Sequence, residues 1–176
     1  PLRRQRQMCI RDRPFVIGHI PFESTIQNDI AASGIIACIA GQTAVGNRIH
    51  IYDVESPASP VYKSELMPSG NTIRLWMMGN LLFVSSNSGE VNYLEAFDLS
   101  DPADPAPAGS VQSNKAAYDM EVLADEGQDS IIVLAKPGGS VHTFGYNPSS
   151  GLFYPGPVCP SPDSQTVSVS QTSGSN

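Results

Sequence analysis

The feature that most constrains this chain is a turn motif that occurs twice. Residues 53–60 (DVESPASP) and 98–105 (DLSDPADP) share the spacing D-x-x-x-P-A-x-P, and their first residues lie 45 positions apart. Each copy directly follows an apolar run, Ile49–Tyr52 in the first case and Tyr93–Phe97 in the second. A period in the mid-forties that closes a strand with a proline turn indicates one β-module repeated along the chain.

The composition agrees with a chain of short strands and turns. The 176 residues include 15 Gly and 15 Pro, which favour turns over long helices. No apolar run approaches the roughly 18 residues that a membrane-spanning helix needs, so we expect no direct membrane insertion.

Residues 1–13 share no pattern with the rest of the chain. The string PLRRQRQMCIRDR holds five of the ten basic residues and one acidic residue, and it resembles translated sequencing-adapter read-through. We interpret these residues as a non-native segment. The alternative is a native basic arm that binds anionic surfaces. Without it the formal net charge of −7 becomes about −11, and such a surface repels nucleic acid and anionic membranes.

The repeat predicts a modular region over residues 14–160. Its units are 14–20 (a last strand only), 28–66, 72–111 and 118–158, and residues 161–176 are either a linker or the start of a further unit. The predicted strands are 29–32, 35–40, 48–52 and 61–66, then 73–77, 81–85, 93–97 and 108–111, then 118–123, 130–135, 141–146 and one beginning at 152.

Four short antiparallel strands in each 45–50 residues are typical of a β-propeller blade. We therefore predict an all-β fold, a partial β-propeller of about three four-stranded antiparallel blades. A sandwich does not require a turn at fixed period, and solenoid coils are shorter. Because propellers have about 4–8 blades, we expect the remaining blades of a longer chain to be partners of this region.

The motif resembles the LVIVD repeat of bacterial and archaeal cell-surface proteins. The residues that match are Ile49–Pro60 and Tyr93–Pro105, and Pro14–Gly18 and Tyr118–Val122 agree more loosely. The resemblance spans roughly residues 14–158 and implies a propeller, with no shared catalytic motif. Residues 141–152 (VHTFGYNPSSGL) also resemble one blade of the seven-bladed lactonase-type propellers.

Two aspartates of the motif are predicted to cap their turns. Asp53 and Asp98 each stand at a strand end before a proline turn, where a carboxylate accepts backbone N–H groups as an Asx-turn. The alternative is a cation site formed with Asp101 or Glu55.

Alignment of the units places Asp29, Arg74 and Asp119 at equivalent positions of the first strands. First strands line the channel of a propeller, so these three residues are the ligand-binding candidates. Two carboxylates and a guanidinium at a channel mouth either bind a polar ligand or form a structural ring of ion pairs.

Metal and thiol chemistry have weaker candidates. His50, Glu95 and His142 occupy equivalent third-strand positions, but third strands diverge outward, whereas zinc needs ligands about 2.0–2.2 Å from one centre. We predict no metal and no cofactor; a divalent cation such as calcium, for which Asp125–Asp129 gives a partial loop, is the alternative. Cys38 is expected to be a small buried residue, and a Cys38–Cys159 disulfide stays open.

No nucleophile, metalloprotease or nucleotide-binding motif is present in the sequence, so no catalytic residue is assigned. The leading hypothesis is a non-catalytic extracellular or cell-surface scaffold that binds an unidentified protein or glycan. The alternative is a propeller-type hydrolase or lactonase in which Asp29 and Asp119 hold a cation or act as acid and base. A third interpretation is a structural segment of a long adhesin-like protein.

Overall fold

The computed structural model describes residues 16–113, 119–123, 130–135 and 141–156. Within these ranges the chain forms twelve β-strands and no helix, so no membrane-spanning helix is found there. The strands are β1 (Ile26–Ser33), β2 (Ile36–Thr43), β3 (Gly46–Asp53), β4 (Val61–Leu66), β5 (Asn71–Met78), β6 (Leu81–Ser88), β7 (Val91–Asp98), β8 (Ala106–Ser113), β9 (Asp119–Leu123), β10 (Ser130–Ala135), β11 (Val141–Asn147) and β12 (Leu152–Pro155).

The strands form three antiparallel sheets of four strands each, in chain order: blade 1 (β1–β4), blade 2 (β5–β8) and blade 3 (β9–β12). The predicted fold class, a partial propeller of three four-stranded blades, is therefore confirmed. The first strands β1, β5 and β9 lie side by side, and the outer strand β8 contacts β12.

Two hairpin turns show why the repeat fixes the geometry. Gly34 and Gly79 occupy the first loop position after β1 and β5, with φ of 58° and 56°. A two-residue loop with positive φ only at its first residue is a type II′ turn, which requires glycine there. Equivalent hydrogen bonds then tie the motif turns to these hairpins, from Val54 N to Ile35 O and from Leu99 N to Asn80 O, both 2.7 Å.

Apolar side chains fill the space between the blades. Blades 1 and 2 share one buried cluster: Ile36, Cys38, Ala40, Ile49, Ile51, Leu66, Leu75, Leu82, Val84, Phe97 and Leu99. Blades 2 and 3 share another: Phe83, Leu94, Ala96, Met120, Val122, Ile132, Leu134, Phe144 and Tyr146. Each large side chain buried here contributes about 1.5–3 kcal/mol of transfer free energy, so the blades are held mainly by face-to-face packing.

The outer rim adds specific contacts between neighbouring blades. Ser64 Oγ in β4 donates to Pro102 O in the motif turn of blade 2, at 2.7 Å. Gly109 in β8 lies so close to blade 3 that an added Cβ would overlap the carbonyl oxygen of Gly151. The fourth strand of one blade therefore packs on the third-to-fourth-strand turn of the next.

The last strand predicted over residues 14–20 is not assigned as a strand in its described part, residues 16–20. A strand requires a ladder partner, and these residues have none in the described ranges. Residues 1–15, the acidic loop 125–129, Cys159 and the tail 161–176 lie outside the described residues.

Candidate functional site

The three first strands bring Asp29, Arg74 and Asp119 to one cavity of about 340 Å³. Its walls also include Ile30 and Met77 from β1 and β5. The alignment of the repeat units therefore identifies residues that are neighbours in space. The binding of a ligand by them stays a prediction.

Matching irregularities in the strands help to position these side chains. β1 has a register shift between Gln27 and Asp29, and β5 has one between Thr72 and Arg74, 45 residues later. A β-bulge bends its strand and redirects the side chains that follow it. Asp29 and Arg74 come directly after their bulges, so equivalent backbone distortions precede both candidates.

The charged groups of the cavity interact across the blade boundaries. Asp29 Oδ2 in blade 1 accepts a hydrogen bond from Leu75 N in blade 2 at 2.8 Å. Arg74 Nε in blade 2 lies 3.4 Å from Asp119 Oδ1 in blade 3, and the same oxygen accepts from Met120 N at 3.0 Å. These contacts link all three blades at the cavity.

The Arg74–Asp119 pair is open to solvent, with 38% of the Arg74 side chain and 75% of the Asp119 side chain exposed. Such exposed pairs contribute about 0–1 kcal/mol to stability. The pair therefore adds little to the fold, and it leaves charged atoms accessible to a ligand.

Asp53 and Asp98 cap the motif turns. Asp53 Oδ1 accepts from Glu55 N at 2.9 Å, and Asp98 Oδ1 accepts from the amide and hydroxyl of Ser100 at 2.8 and 2.6 Å. These bonds favour the charged form, so the Asp53 pKa is lowered by the Glu55 amide and then by Lys63, which lies 3.1 Å away. The Asp98 pKa is lowered by the Ser100 hydroxyl and amide.

The third-strand position of Glu95 has a role that the sequence analysis missed. Glu95 is only 6% exposed and accepts from Ser69 N (3.1 Å) and Ser69 Oγ (2.7 Å), which lie in the connection between β4 and β5. Glu95 Oε2, which accepts from Ser69 N, also accepts from Ser86 Oγ at 3.2 Å. The carboxylate therefore anchors the connection between blades 1 and 2, and a charged residue inside an apolar strand was the available signal.

The equivalent residue of blade 1, His50, contacts the segment that leads into β1. Its ring meets Phe22 edge to face at 4.7 Å between centroids, and Nε2 lies 3.3 Å from Glu65. Burial lowers the pKa of His50, against the opposing effect of Glu65. His142 lies in β11 of blade 3. His50, Glu95 and His142 thus belong to three different blades.

No group of three His, Cys, Asp or Glu side chains suited to a metal ion occurs among the residues that the structure describes. Cys38 is fully buried between blades 1 and 2, and burial raises the pKa of its thiol to about 12. It is a packing residue there, as expected, while its proposed partner Cys159 lies outside the described ranges.

Comparison with known proteins supports the fold alone. No family model and no curated protein matches the chain. Among solved structures, it is similar to Saccharomyces cerevisiae Sqt1, a β-propeller, with a TM-score of 0.56 and 17% identity over 73% of this chain. The chain spans 34% of the length of that protein. The LVIVD resemblance stays a prediction.

Proposed function

We propose that this region is a non-catalytic binding scaffold whose contact surface is the channel mouth around Asp29, Arg74 and Asp119. The observation that carries the proposal is the linking of the three blades by these charges. Backbone amides hold both carboxylates, Leu75 N at Asp29 and Met120 N at Asp119, and preorganised groups bind at a lower entropic cost. The use of propellers as interaction platforms is an argument from fold analogy.

The partner in this proposal is a protein or a glycan outside the cell. The excess of acidic residues supports an extracellular or cell-surface location and does not favour nucleic acid or anionic membranes. The exposed Asp119 and Arg74 offer one acceptor and one donor group, which fits a polar partner with hydroxyl or mixed-charge groups.

The hydrolase alternative receives less support from the site. An acid, a base or a cation ligand needs carboxylate oxygens that are free to engage substrate or metal. Asp29 Oδ2 accepts from Leu75 N, and Asp119 Oδ1 accepts from Met120 N beside Arg74, so the fold itself uses one oxygen of each carboxylate. This structural role of both carboxylates is the observation that supports a scaffold.

The proposal is tested by binding to a glycan array and to an extract of cell-surface proteins. The wild-type chain is compared with a double variant, Arg74→Ala with Asp119→Ala, and with Glu90→Ala, an exposed control residue in the loop between β6 and β7. We expect the double variant to weaken binding at least tenfold and the control to leave it unchanged.

Two results would contradict the scaffold. The first is a partner whose affinity does not change in the channel variant. The second is turnover of lactone or ester substrates that Asp29→Asn abolishes, which would establish the hydrolase instead.

A further inference from the structure

The junction between blades 1 and 2 ends in a separate cavity of about 280 Å³, called the junction pocket below. Its walls come from the β2–β3 hairpin (residues 45–48), the connection that leads from β4 into β5 (residues 67–71) and the β6–β7 hairpin (residues 87–89). It shares no lining residue with the cavity described above. A ligand in one of these cavities therefore does not contact the walls of the other.

The polar lining of the junction pocket includes three carboxamides, those of Asn47, Asn71 and Asn87. Asn47 Nδ2 in blade 1 donates to Asn71 Oδ1 in blade 2, so this contact bridges the two blades. A carboxamide carries two N–H donors and one carbonyl acceptor. The Asn47 carbonyl and the Asn71 amino group thus keep bonding capacity for a ligand, and Asn87 adds a third carboxamide from the next hairpin.

The fold holds the walls of the junction pocket in place. The buried carboxylate of Glu95 anchors the connection between the blades. Gly70 of that connection lies so close to the β6–β7 hairpin that an added Cβ would overlap the carbonyl oxygen of Asn87. In the β2–β3 hairpin, Thr43 Oγ1 donates to Gly46 O at 2.8 Å. The carboxamides are therefore attached to fixed backbone, which lowers the entropic cost of binding.

The charges around the junction pocket disfavour an ionic ligand. Arg48 is the one charged residue of its described lining, and Arg48 Nε lies 3.4 Å from Glu65 Oε1, which offsets the charge. The carboxylate of Glu95 lies behind Ser69, where it repels an anion. That carboxylate is buried and bonded to Ser69 and Ser86, so a cation in the pocket cannot contact it. A neutral ligand with hydroxyl groups fits this lining.

The rim of the junction pocket is apolar. Val45 and Met67 line it and are 72% and 69% exposed. A sugar ring has hydroxyl groups at its edge and C–H groups on its faces, which matches carboxamides beside apolar side chains. The backbones of Asn71 and Asn87 pair with each other, so strand addition, a common mode of peptide binding, is not favoured between them.

We propose that the junction pocket binds a neutral saccharide of about one or two rings, free or at the end of a glycan. Its hydroxyl groups bond the three carboxamides, and its C–H face covers Met67. The pocket volume lies just below the range of about 300–1,000 Å³ for drug-sized ligands, which suits this size. Because Asn47 and Asn71 belong to different blades, the ligand stabilises their junction. The inference rests on the geometry of this pocket and not on the proposed function.

The probes are glucose, galactose, mannose and N-acetylglucosamine, each as the free sugar and as its methyl glycoside, which represents a ring linked in a glycan. NMR of the side-chain amides follows their binding to the whole chain. Inorganic phosphate and trialanine amide serve as the ionic and the peptide probe. Asn71→Ala removes a carboxamide of the pocket, and Asn80→Ala makes the same change at an exposed residue of the β5–β6 turn.

We expect at least one of these sugars to bind with a dissociation constant of about 1 mM and to shift the side-chain amide signals of Asn47, Asn71 and Asn87. Asn71→Ala should weaken binding at least fivefold, and Asn80→Ala should leave it unchanged. Saturating sugar should raise the urea midpoint of the wild-type chain, because a ligand that binds the folded junction stabilises it. Since Asn71 is exposed, its replacement leaves the blade folded, and circular dichroism verifies this.

The absence of binding by every sugar up to about 50 mM would overturn the proposal, as would equal binding by the Asn71→Ala variant. Shifts of the same amide signals by phosphate or trialanine amide, and not by the sugars, would assign the pocket to an anion or a peptide instead. Binding of the free sugar alone supports a soluble ligand, and binding of the methyl glycoside supports a glycan end.

A variant of the other cavity separates the two proposals. Arg74→Ala with Asp119→Ala should bind the sugars as the wild-type chain does, because neither residue lines the junction pocket. Loss of sugar binding in this double variant would contradict the assignment to the junction pocket. Failure of every sugar to bind leaves the scaffold proposal to its own test.

Discussion

The two junctions between blades satisfy the same repeat geometry with different chemistry. The junction of blades 1 and 2 is mainly aliphatic and includes a buried carboxylate, Glu95, that holds the connection between the blades. The junction of blades 2 and 3 is aromatic, with Phe83 edge to face against Tyr146 at 5.2 Å and near Phe153 at 6.4 Å. The turn motif therefore fixes where the strands lie, while the side chains between them are free to differ.

The largest effect is expected at the aromatic junction. Phe83→Ala should lower the free energy of unfolding by about 3–5 kcal/mol, because it leaves a cavity and removes the ring contacts of Tyr146. Ile51→Ala is the matched variant at the aliphatic junction and should cost about 2–5 kcal/mol. Urea unfolding measures both, and a loss below about 3 kcal/mol for Phe83→Ala would contradict the expected contribution of the aromatic junction.

A smaller effect is expected for the buried carboxylate. Glu95→Ala leaves Ser69 N and Ser86 Oγ without their acceptor, which should cost about 1–3 kcal/mol. Amide hydrogen exchange should increase at Ser69 and in the adjoining connection. If Glu95→Ala and the exposed control Glu90→Ala unfold at the same urea concentration, then Glu95 does not anchor this junction.

The turn cap Asp98 should contribute less to the free energy of unfolding than Glu95 does. Asp98→Ala removes the acceptor of the Ser100 amide and should cost about 1 kcal/mol at neutral pH. Because the folded pKa of Asp98 is lowered, this stabilisation is present above the ordinary value of 3.8 and is lost as the pH falls through the folded pKa. Unfolding of both proteins from pH 7 to pH 2 should therefore converge, and a constant difference would contradict the assignment.

The smallest effect is expected for His50. Burial lowers its folded pKa, so the unfolded state takes up a proton first, and stability should fall as the pH drops below the ordinary value of 6.5 until the folded pKa is passed. His50→Phe keeps an aromatic ring beside Phe22 and should reduce this pH dependence between pH 7 and 5. An unchanged slope of the urea midpoint with pH would assign the dependence to other groups.

The sequence predicted the fold because its strongest signals are local. The glycines of the β1–β2 and β5–β6 turns and the repeated proline motif each specify a backbone conformation by themselves, and their spacing sets the strands. The same alignment brought Asp29, Arg74 and Asp119 together, because equivalent positions of the three first strands line one cavity.

Two features could not be predicted from the sequence, because each depends on contacts between blades: the role of Glu95 and the conformation of residues 16–20. Glu95 reaches Ser69, 26 residues earlier, and nothing in its own strand indicates that partner. Residues 16–20 have strand-like composition but no ladder partner among the residues that the structure describes, so the local pattern alone predicted a strand that the structure does not assign. Both features become visible only when the blades are placed beside one another.

The contact of each fourth strand with the next turn, as between Ser64 and Pro102, has a consequence for how such chains diversify. An insertion in a motif turn would disturb the packing of the preceding blade's fourth strand as well as the turn's own blade. It should therefore destabilise two blades. In the hairpins at the opposite end, between β2 and β3 and between β6 and β7, Val45 and Gly89 are exposed, and an added Cβ at Gly89 would meet no atom within 4 Å. Longer binding loops should therefore be tolerated at the β2–β3 and β6–β7 hairpins, while the motif turns 53–60 and 98–105 should keep their length.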